Sequence, residues 1–266
     1  MLRSRLVLAA AVCGFHLAAL AATDGNPSIS SAGLVNAATG QPLFAPYSIC
    51  TIYGTNLYFY EFASATGYIE APPTLGGDTV LIGSIPAGLF YITPNQINLL
   101  IPNSLMPGTY SITVVRQGLA SQAVPITVQE VAPGLFSGVP GFAVATHADG
   151  TPITEASPAV PGEVVVFYAT GLGRTQPDPQ DRYSAPAAAP LVHLADFEVL
   201  LDGVAIDRSL VQYAGVTPNN AGLYQVNVRL PDDLSPTNPE VRLSVAGVLS
   251  PPGLSLITGP VTDPPP

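Results

Sequence analysis

After residue 24 the chain is a succession of short apolar runs cut by proline, glycine, asparagine and aspartate. No stretch sustains the 3.6-residue period of an amphipathic helix. Runs of four to eight residues rich in Val, Ile, Leu, Thr and Tyr, bounded by turn residues, predict β-strands and an all-β sandwich architecture. Segment 109–114, Thr-Tyr-Ser-Ile-Thr-Val, alternates polar and apolar as a half-buried strand does. The pattern predicts strands over 47–53, 79–82, 89–92, 96–101, 109–116 and 121–128, with an edge strand inside 28–38. It predicts a second set over 142–147, 163–169, 197–201, 210–213, 223–230, 240–245 and 253–257. Asp149-Gly150 and Asp202-Gly203 tolerate positive φ and mark hairpin turns.

The pattern occurs twice. Segment 160–173 repeats segment 45–57, with Pro46 on Pro161, Tyr53 on Tyr168, Thr55 on Thr170 and Leu57 on Leu172. Further along, Thr93-Pro94-Asn95 matches Thr217-Pro218-Asn219. Gln96, Asn98 and Pro102 match Gln225, Asn227 and Pro231. The order is kept, and the second copy carries extra residues over 220–224. This predicts a duplicated sandwich of about 100–120 residues, an ordinary domain size. The expected division is 22–130 and 131–258, joined at 129–134, with a Pro-rich tail over 259–266.

The amino terminus is read separately. Arg3 and Arg5 precede an apolar run over 6–20, and Ala19-Leu20-Ala21 offers a small-residue cleavage site. This predicts a signal peptide over 1–21 rather than a spanning helix. Lipidation at Cys13 would cut the apolar run in half, and Val12 fits it poorly. No later segment is long and apolar enough to cross a bilayer, so the expected location is secreted or cell envelope. The sequence has no lysine, and loss of Arg3 and Arg5 takes the formal charge from −10 to −12. Such a surface repels nucleic acid and anionic lipid, so no nucleic-acid partner is expected, nor a membrane span after cleavage. Cys50 is the one cysteine of the mature chain. It cannot form an internal disulfide and is read as a small buried hydrophobe.

Several of these segments resemble a known family. Gly33-Leu34-Val35-Asn36-Ala37-Ala38, Tyr53-Gly54-Thr55-Asn56-Leu57, Pro94-Asn95-Gln96-Ile97-Asn98, Ala132-Pro133-Gly134-Leu135-Phe136 and Tyr168-Ala169-Thr170-Gly171-Leu172-Gly173 are similar to the Solibacter-type C-terminal domain of secreted acidobacterial proteins. They run in order along nearly all of the mature chain. Tyr47 stands where that family usually has glycine. Each half also resembles an IPT/TIG-type immunoglobulin-like domain. Together these resemblances imply two tandem immunoglobulin-like β-sandwich domains acting as an extracellular binding or spacer module, with no catalytic residues to transfer.

The candidate chemistry is sparse. His147 and His193 are the only histidines of the mature chain, too few for a zinc site, and are read as surface residues. Asp196 and Glu198 share one strand face and could serve as paired carboxylates for glycoside hydrolysis. Asp178 and Asp181, in a Pro/Ala-rich loop over 177–190, could offer oxygens to calcium, although EF-hand spacing is absent. The expectation is no catalytic residue, no cofactor and no metal ligand. The aromatic run holds the best contact candidates: Tyr58, Tyr60, Phe62 and Tyr68. Such side chains stack on sugars or anchor a protein partner, so the expected partner is a polysaccharide or a cell-surface protein. The competing reading is that they cap the open end of the first sandwich. The pairs Gln96/Asn98 and Gln225/Asn227 are expected to tie down neighbouring loop backbone. The expected function is a non-enzymatic module for binding, adhesion or envelope structure. The alternatives are a carbohydrate-active hydrolase and a passive spacer.

Overall fold

The structure, a computed structural model, describes residues 25–67 and 69–260. The expected signal peptide, Tyr68 and the last six residues lie outside the described residues. The first half contains β1 (Ser28–Asn36), β2 (Ile49–Thr55), β3 (Ala63–Ser64), β4 (Asp78–Ile82), β5 (Ile85–Pro86), β6 (Gly88–Ile92), β7 (Gln96–Leu100), β8 (Gly108–Arg116), β9 (Leu119–Ala120) and β10 (Val124–Val128). They build a sheet in the order β1-β2-β7-β6-β3 and a second in the order β10-β8-β4-β5, with β9 on β8.

The second half contains β11 (Gly134–Leu135), β12 (Ala145–His147), β13 (Val164–Thr170), β14 (Ala189–Pro190), β15 (Phe197–Leu201), β16 (Val204–Ala205), β17 (Val211–Val216), β18 (Tyr224–Arg229), β19 (Val241–Val245) and β20 (Val248–Leu249). Its sheets run β11-β13-β18-β17-β14, with β12 on β13, and β16-β15-β19-β20. The strand order of the first half is thus repeated, except that β10 has no counterpart among the described residues. The protein is all-β, two immunoglobulin-like sandwiches in tandem.

Register repeats as well as order. Tyr53 lies opposite Gln96 and Thr51 opposite Asn98 in the first half. Tyr168 lies opposite Gln225 and Val166 opposite Asn227 in the second. Inward positions alternate with these, as the pleat requires. Leu34, Ile52, Val80, Ile82, Ile97 and Val114 fill one core, and Phe167, Val199, Val226, Leu243 and Val245 fill the other.

Several expected strands differ in the structure: those placed over 121–128 and 142–147 begin only at Val124 and Ala145, and that over 210–213 extends to Val216. The strand placed over 47–53 begins only at Ile49, because Tyr47 takes φ 63° in a turn closed by the Ser48 N–H on the Ala45 carbonyl. The strand placed over 253–257 is not a strand. Within it Ser255 alone bridges, to Phe142 on one side and Glu240 on the other. Gly259 and Pro260, assigned on sequence grounds to the tail, are fastened by Asn238: the Gly259 N–H donates to Asn238 Oδ1, and Asn238 Nδ2 donates to the Pro260 carbonyl.

The sandwiches are joined by more than a linker. Tyr47 and Leu100 come from the first half but belong to the core cluster of the second. Loop 177–190 lies along the first sandwich as a strap. Asp181 accepts the Ser104 N–H and hydroxyl at 2.6 Å each, and Asn103 Nδ2 donates to the Pro179 carbonyl at 2.7 Å. The Ala71 N–H donates to the Arg182 carbonyl, and the Ser184 N–H to the Ile69 carbonyl. The extra residues of the second copy, 220–224, do similar work. Gly222 comes so close that a Cβ there would lie 2.6 Å from Leu100 Cδ1 and 2.7 Å from Ile49 Cγ1.

The first sandwich also encloses an unmatched charge pair. Asp78 and Arg116 are partners across the β4/β8 ladder, and both are buried. Arg116 Nη2 donates to the Gly25 carbonyl, its guanidinium lies 3.8 Å from the centre of the Phe59 ring, and its Nε and Nη1 have no partner among the described residues. Burial pushes the Asp78 carboxyl up to about 6, against the opposing pull of the Gln117 N–H and of Arg116. That value lies above the ordinary carboxylate value of about 3.9. The folded state therefore takes up a proton that the unfolded state releases, and stability falls as pH rises between these values. Asp78→Asn is expected to stabilise the protein by about 1–2 kcal/mol above pH 6, and to flatten the melting curve between pH 4 and 6. Parallel melting-temperature profiles for the two proteins across that window would show that Asp78 carries no such burden.

Candidate functional site

The aromatic run leaves β2 and crosses the open end of the first sandwich. Its residues follow no strand alternation, since chain 56–62 is irregular. Tyr58 turns inward: it is 5% exposed, belongs to the first core and packs against Gly76, whose missing side chain makes room for the phenol. Phe59 covers Arg116. These two close the sandwich end, as the capping reading expects. Tyr60 and Phe62 do not: they are 64% and 56% exposed. Tyr60 stands edge-on to Tyr58 at 5.5 Å, which fixes its ring. Phe62 stacks on Tyr91 of β6 at 6.2 Å with 26° between the planes. Of the four expected contact residues, then, Tyr60 and Phe62 face solvent, Tyr58 belongs to the core, and Tyr68 lies outside the described residues.

Tyr91 extends this surface onto the sheet. It lies opposite Asn98, and Asn98 lies opposite Thr51. Gln96 Nε2 donates to Asn98 Oδ1 at 2.8 Å, and the Thr51 hydroxyl donates to the same oxygen at 3.1 Å. The amides therefore hold each other along the strand and, among the described residues, do not tie down loop backbone, contrary to the sequence expectation. Tyr53, opposite Gln96 and 52% exposed, closes the far side. The result is a neutral polar strip with an aromatic ring at either margin. The lower part of the same face is covered, because Ile49 and Leu100 meet Gly222 of the second sandwich.

The other candidates are accounted for by local partners. Asp178 pairs with Arg174 at 2.7 Å and accepts the Thr175 N–H, while Asp181 holds Ser104. Both carboxylates thus serve the strap, and no group of three or more potential metal ligands occurs among the described residues. Asp196 and Glu198 line a depression of about 370 Å³ together with Arg208, whose guanidinium is held by the carbonyls of Leu194 and Ala195. Both carboxylates are exposed.

The histidines are paired rather than free on the surface. His193 Nε2 meets Glu130 at 2.9 Å. His147 Nδ1 meets Glu163 at 3.0 Å, while its Nε2 faces both the carbonyl and the hydroxyl of Ser157. Burial would lower the His147 pKa, but the hydrogen bond and charge of Glu163 and the Ser157 carbonyl outweigh it and raise the value. A charged imidazole donating from both nitrogens suits a clasp across loop 148–163 better than a base awaiting a proton.

Sequence reasoning did not single out Tyr91 or its counterpart Tyr213. Each follows a register shift in its ladder, between Leu89 and Tyr91 and between Val211 and Tyr213. Tyr91 lies two residues before the Thr-Pro-Asn turn and Tyr213 four, so a linear alignment does not superpose them.

No family model matches the chain, and no curated protein does. Among solved structures it is similar to SGBP-B of the Bacteroides ovatus mixed-linkage glucan utilization locus, in complex with a mixed-linkage heptasaccharide. That likeness has 12% identity and a TM-score of 0.34 over 85% of this chain and 43% of that one. It is similar to SGBP-B from a complex xyloglucan utilization locus in Bacteroides uniformis at 11% identity and a TM-score of 0.27, over 87% of this chain and 50% of that one. A third likeness is to the Gamma-CGTASE of Alkalophilic bacillus clarkii, at 13% identity and a TM-score of 0.26, over 84% and 24%. The chain spans half or less of the length of these structures.

Proposed function

We propose that the protein is a secreted, non-catalytic binding module, a member of the Solibacter-type group it resembles, and that it holds a neutral polysaccharide on the outer face of its first sandwich. The observation that carries this reading is the continuity of Phe62, Tyr91, Asn98, Gln96 and Tyr53 across one end of that sandwich. Exposed, immobilised rings give a sugar a large contact area at small entropic cost. Carboxamides match the mixed donor and acceptor character of its hydroxyls. The strands β2, β6 and β7 contribute no charged side chain to this face, and the protein as a whole is acidic. Both features favour an uncharged ligand over an anionic one.

The test is affinity electrophoresis of the mature protein in gels containing hydroxyethylcellulose, soluble xylan, galactomannan or soluble starch. At least one should retard it. The double variant Tyr60→Ala/Phe62→Ala should weaken that retardation at least about 10-fold, the effect of losing aromatic anchors. Its melting temperature should stay within roughly 2 °C of the parent, since neither ring is buried. Retardation unchanged by the double variant would rule out the aromatic end. Release of reducing sugar, abolished by Asp196→Asn, would replace the binding module with the hydrolase.

A further inference from the structure

The strip on the first sandwich has a counterpart on the second. Tyr168 of β13 lies opposite Gln225 of β18, as Tyr53 lies opposite Gln96. Tyr213 of β17 lies opposite Asn227, as Tyr91 lies opposite Asn98. Gln225 Nε2 donates to Asn227 Oδ1 at 3.1 Å, repeating the bond between Gln96 and Asn98. Four side chains thus recur at equivalent ladder positions, one of them, Tyr91 in the first copy and Tyr213 in the second, at a different distance from the Thr-Pro-Asn turn because the second hairpin is longer.

A purely structural role would have the amides bonding to backbone or to a neighbouring loop, because that is how sheet-face amides contribute to a fold. Here each pair bonds within itself. Gln225 Oε1 and Asn227 Nδ2 have no protein partner among the described residues, and both side chains are half-exposed. The flanking ring is fixed: the Tyr213 hydroxyl accepts the Ala189 N–H at 3.0 Å and lies 2.8 Å from the Val216 carbonyl, to which it donates. This face carries a single charged side chain on its three strands, and that one is paired. β13 and β17 carry none, and Arg229 at the end of β18 is paired with Asp232 at 2.6 Å. A neutral, amide-bearing strip on an acidic protein complements an uncharged polyhydroxylated chain.

We propose that Tyr168, Gln225, Asn227 and Tyr213 form a second binding site for neutral polysaccharide, so that each chain offers two matched subsites, one per sandwich. The proposal rests on the reading of the first sandwich as a polysaccharide binder. The two are separated by stoichiometry.

The mature full-length chain is titrated calorimetrically with the hexasaccharide of whichever gel polysaccharide retards it. Two equivalents should bind the parent protein. The variant Gln225→Leu/Asn227→Leu should bind one, and its retardation by the polymer should fall about 10-fold or more as bivalency is lost. Combining it with Tyr60→Ala/Phe62→Ala should abolish binding. Should the leucine pair unfold the sheet, Asn227→Asp keeps the shape, places a charge in the strip and should produce the same loss of one equivalent. One equivalent bound by the parent, unchanged by either variant, overturns the second site and leaves the first standing. Absence of binding to all four polysaccharides overturns both.

Discussion

Tyr47→Ala is expected to destabilise the protein by about 3–5 kcal/mol, the cost of emptying a large aromatic site in a packed interior. Tyr47 is fully buried, yet it belongs by sequence to the first sandwich and by packing to the second. Its ring stands edge-on to Tyr224 at 6.2 Å, and its hydroxyl donates to the Tyr183 carbonyl at 2.7 Å. Its backbone is the unusual part. At φ 63° a non-glycine residue carries about 1 kcal/mol or more of strain. The matching position in the second copy is Gly162, at φ 77°. A tyrosine held at a glycine position implies that what its side chain gains across the junction exceeds that strain. The claim fixes a rank order. Tyr47→Gly loses the plug but sheds the strain, so it should be more stable than Tyr47→Ala by about 1 kcal/mol, and less stable than the parent. Chemical denaturation of the three proteins measures this directly. Calorimetry should show one transition for the parent and two for the alanine variant, because the cores are then less coupled. An alanine variant within 1 kcal/mol of the parent would mean that Tyr47 does not join the units.

The contrast between Tyr47 and Gly162 also shows which features the sequence makes legible. Strand order, register and the inward face of each sandwich follow from local rules that act the same way in both copies. Thus Tyr53 and Tyr168, or Gln96 and Gln225, can be paired by eye, and the ladders then pair them in space. The junction is built where the copies diverge: Tyr47, whose counterpart is a glycine, the strap over 177–190 and the extra segment 220–224. For the last two no internal comparison exists. Asp178 and Asp181 look like cation ligands in a linear reading because two carboxylates in a loop have no visible partner. Folding supplies Arg174 and Ser104, and the second of these is distant in sequence. The candidate surface was half legible for the same reason. Tyr60 and Phe62 stand out as exposed aromatics in a loop, whereas Tyr91 and Tyr213 acquire meaning only when register sets them beside Asn98 and Asn227.

Gly222→Val should be the most damaging single substitution at the junction. Two separate costs fall on it. Gly222 has φ 76°, so any side chain is strained there, and its Cβ would overlap Leu100 and Ile49 at 2.6 and 2.7 Å. Leu100 has little room to give way, because it is fully buried in the packed core of the second sandwich. The Gly222 carbonyl also accepts the Thr170 hydroxyl, and that hydroxyl in turn accepts the Ile49 N–H at 2.9 Å. A wedge at Gly222 therefore disturbs a hydrogen-bonded chain as well as a packed contact. Gly150 supplies the control. It has φ 86°, but a Cβ there meets nothing within 4 Å. Gly150→Ala should cost only the conformational strain, about 1 kcal/mol. Gly222→Ala should cost about 2–4 kcal/mol, adding overpacking to strain, and Gly222→Val more. The excess over Gly150→Ala measures the contact between the sandwiches, free of the backbone term. It should be accompanied by an increased radius of gyration in solution scattering and by new proteolytic cleavage within 129–134, where the connecting segment loses its cover. Equal losses for the two alanine variants, with unchanged scattering, would show that the sandwiches do not depend on this approach to stay together.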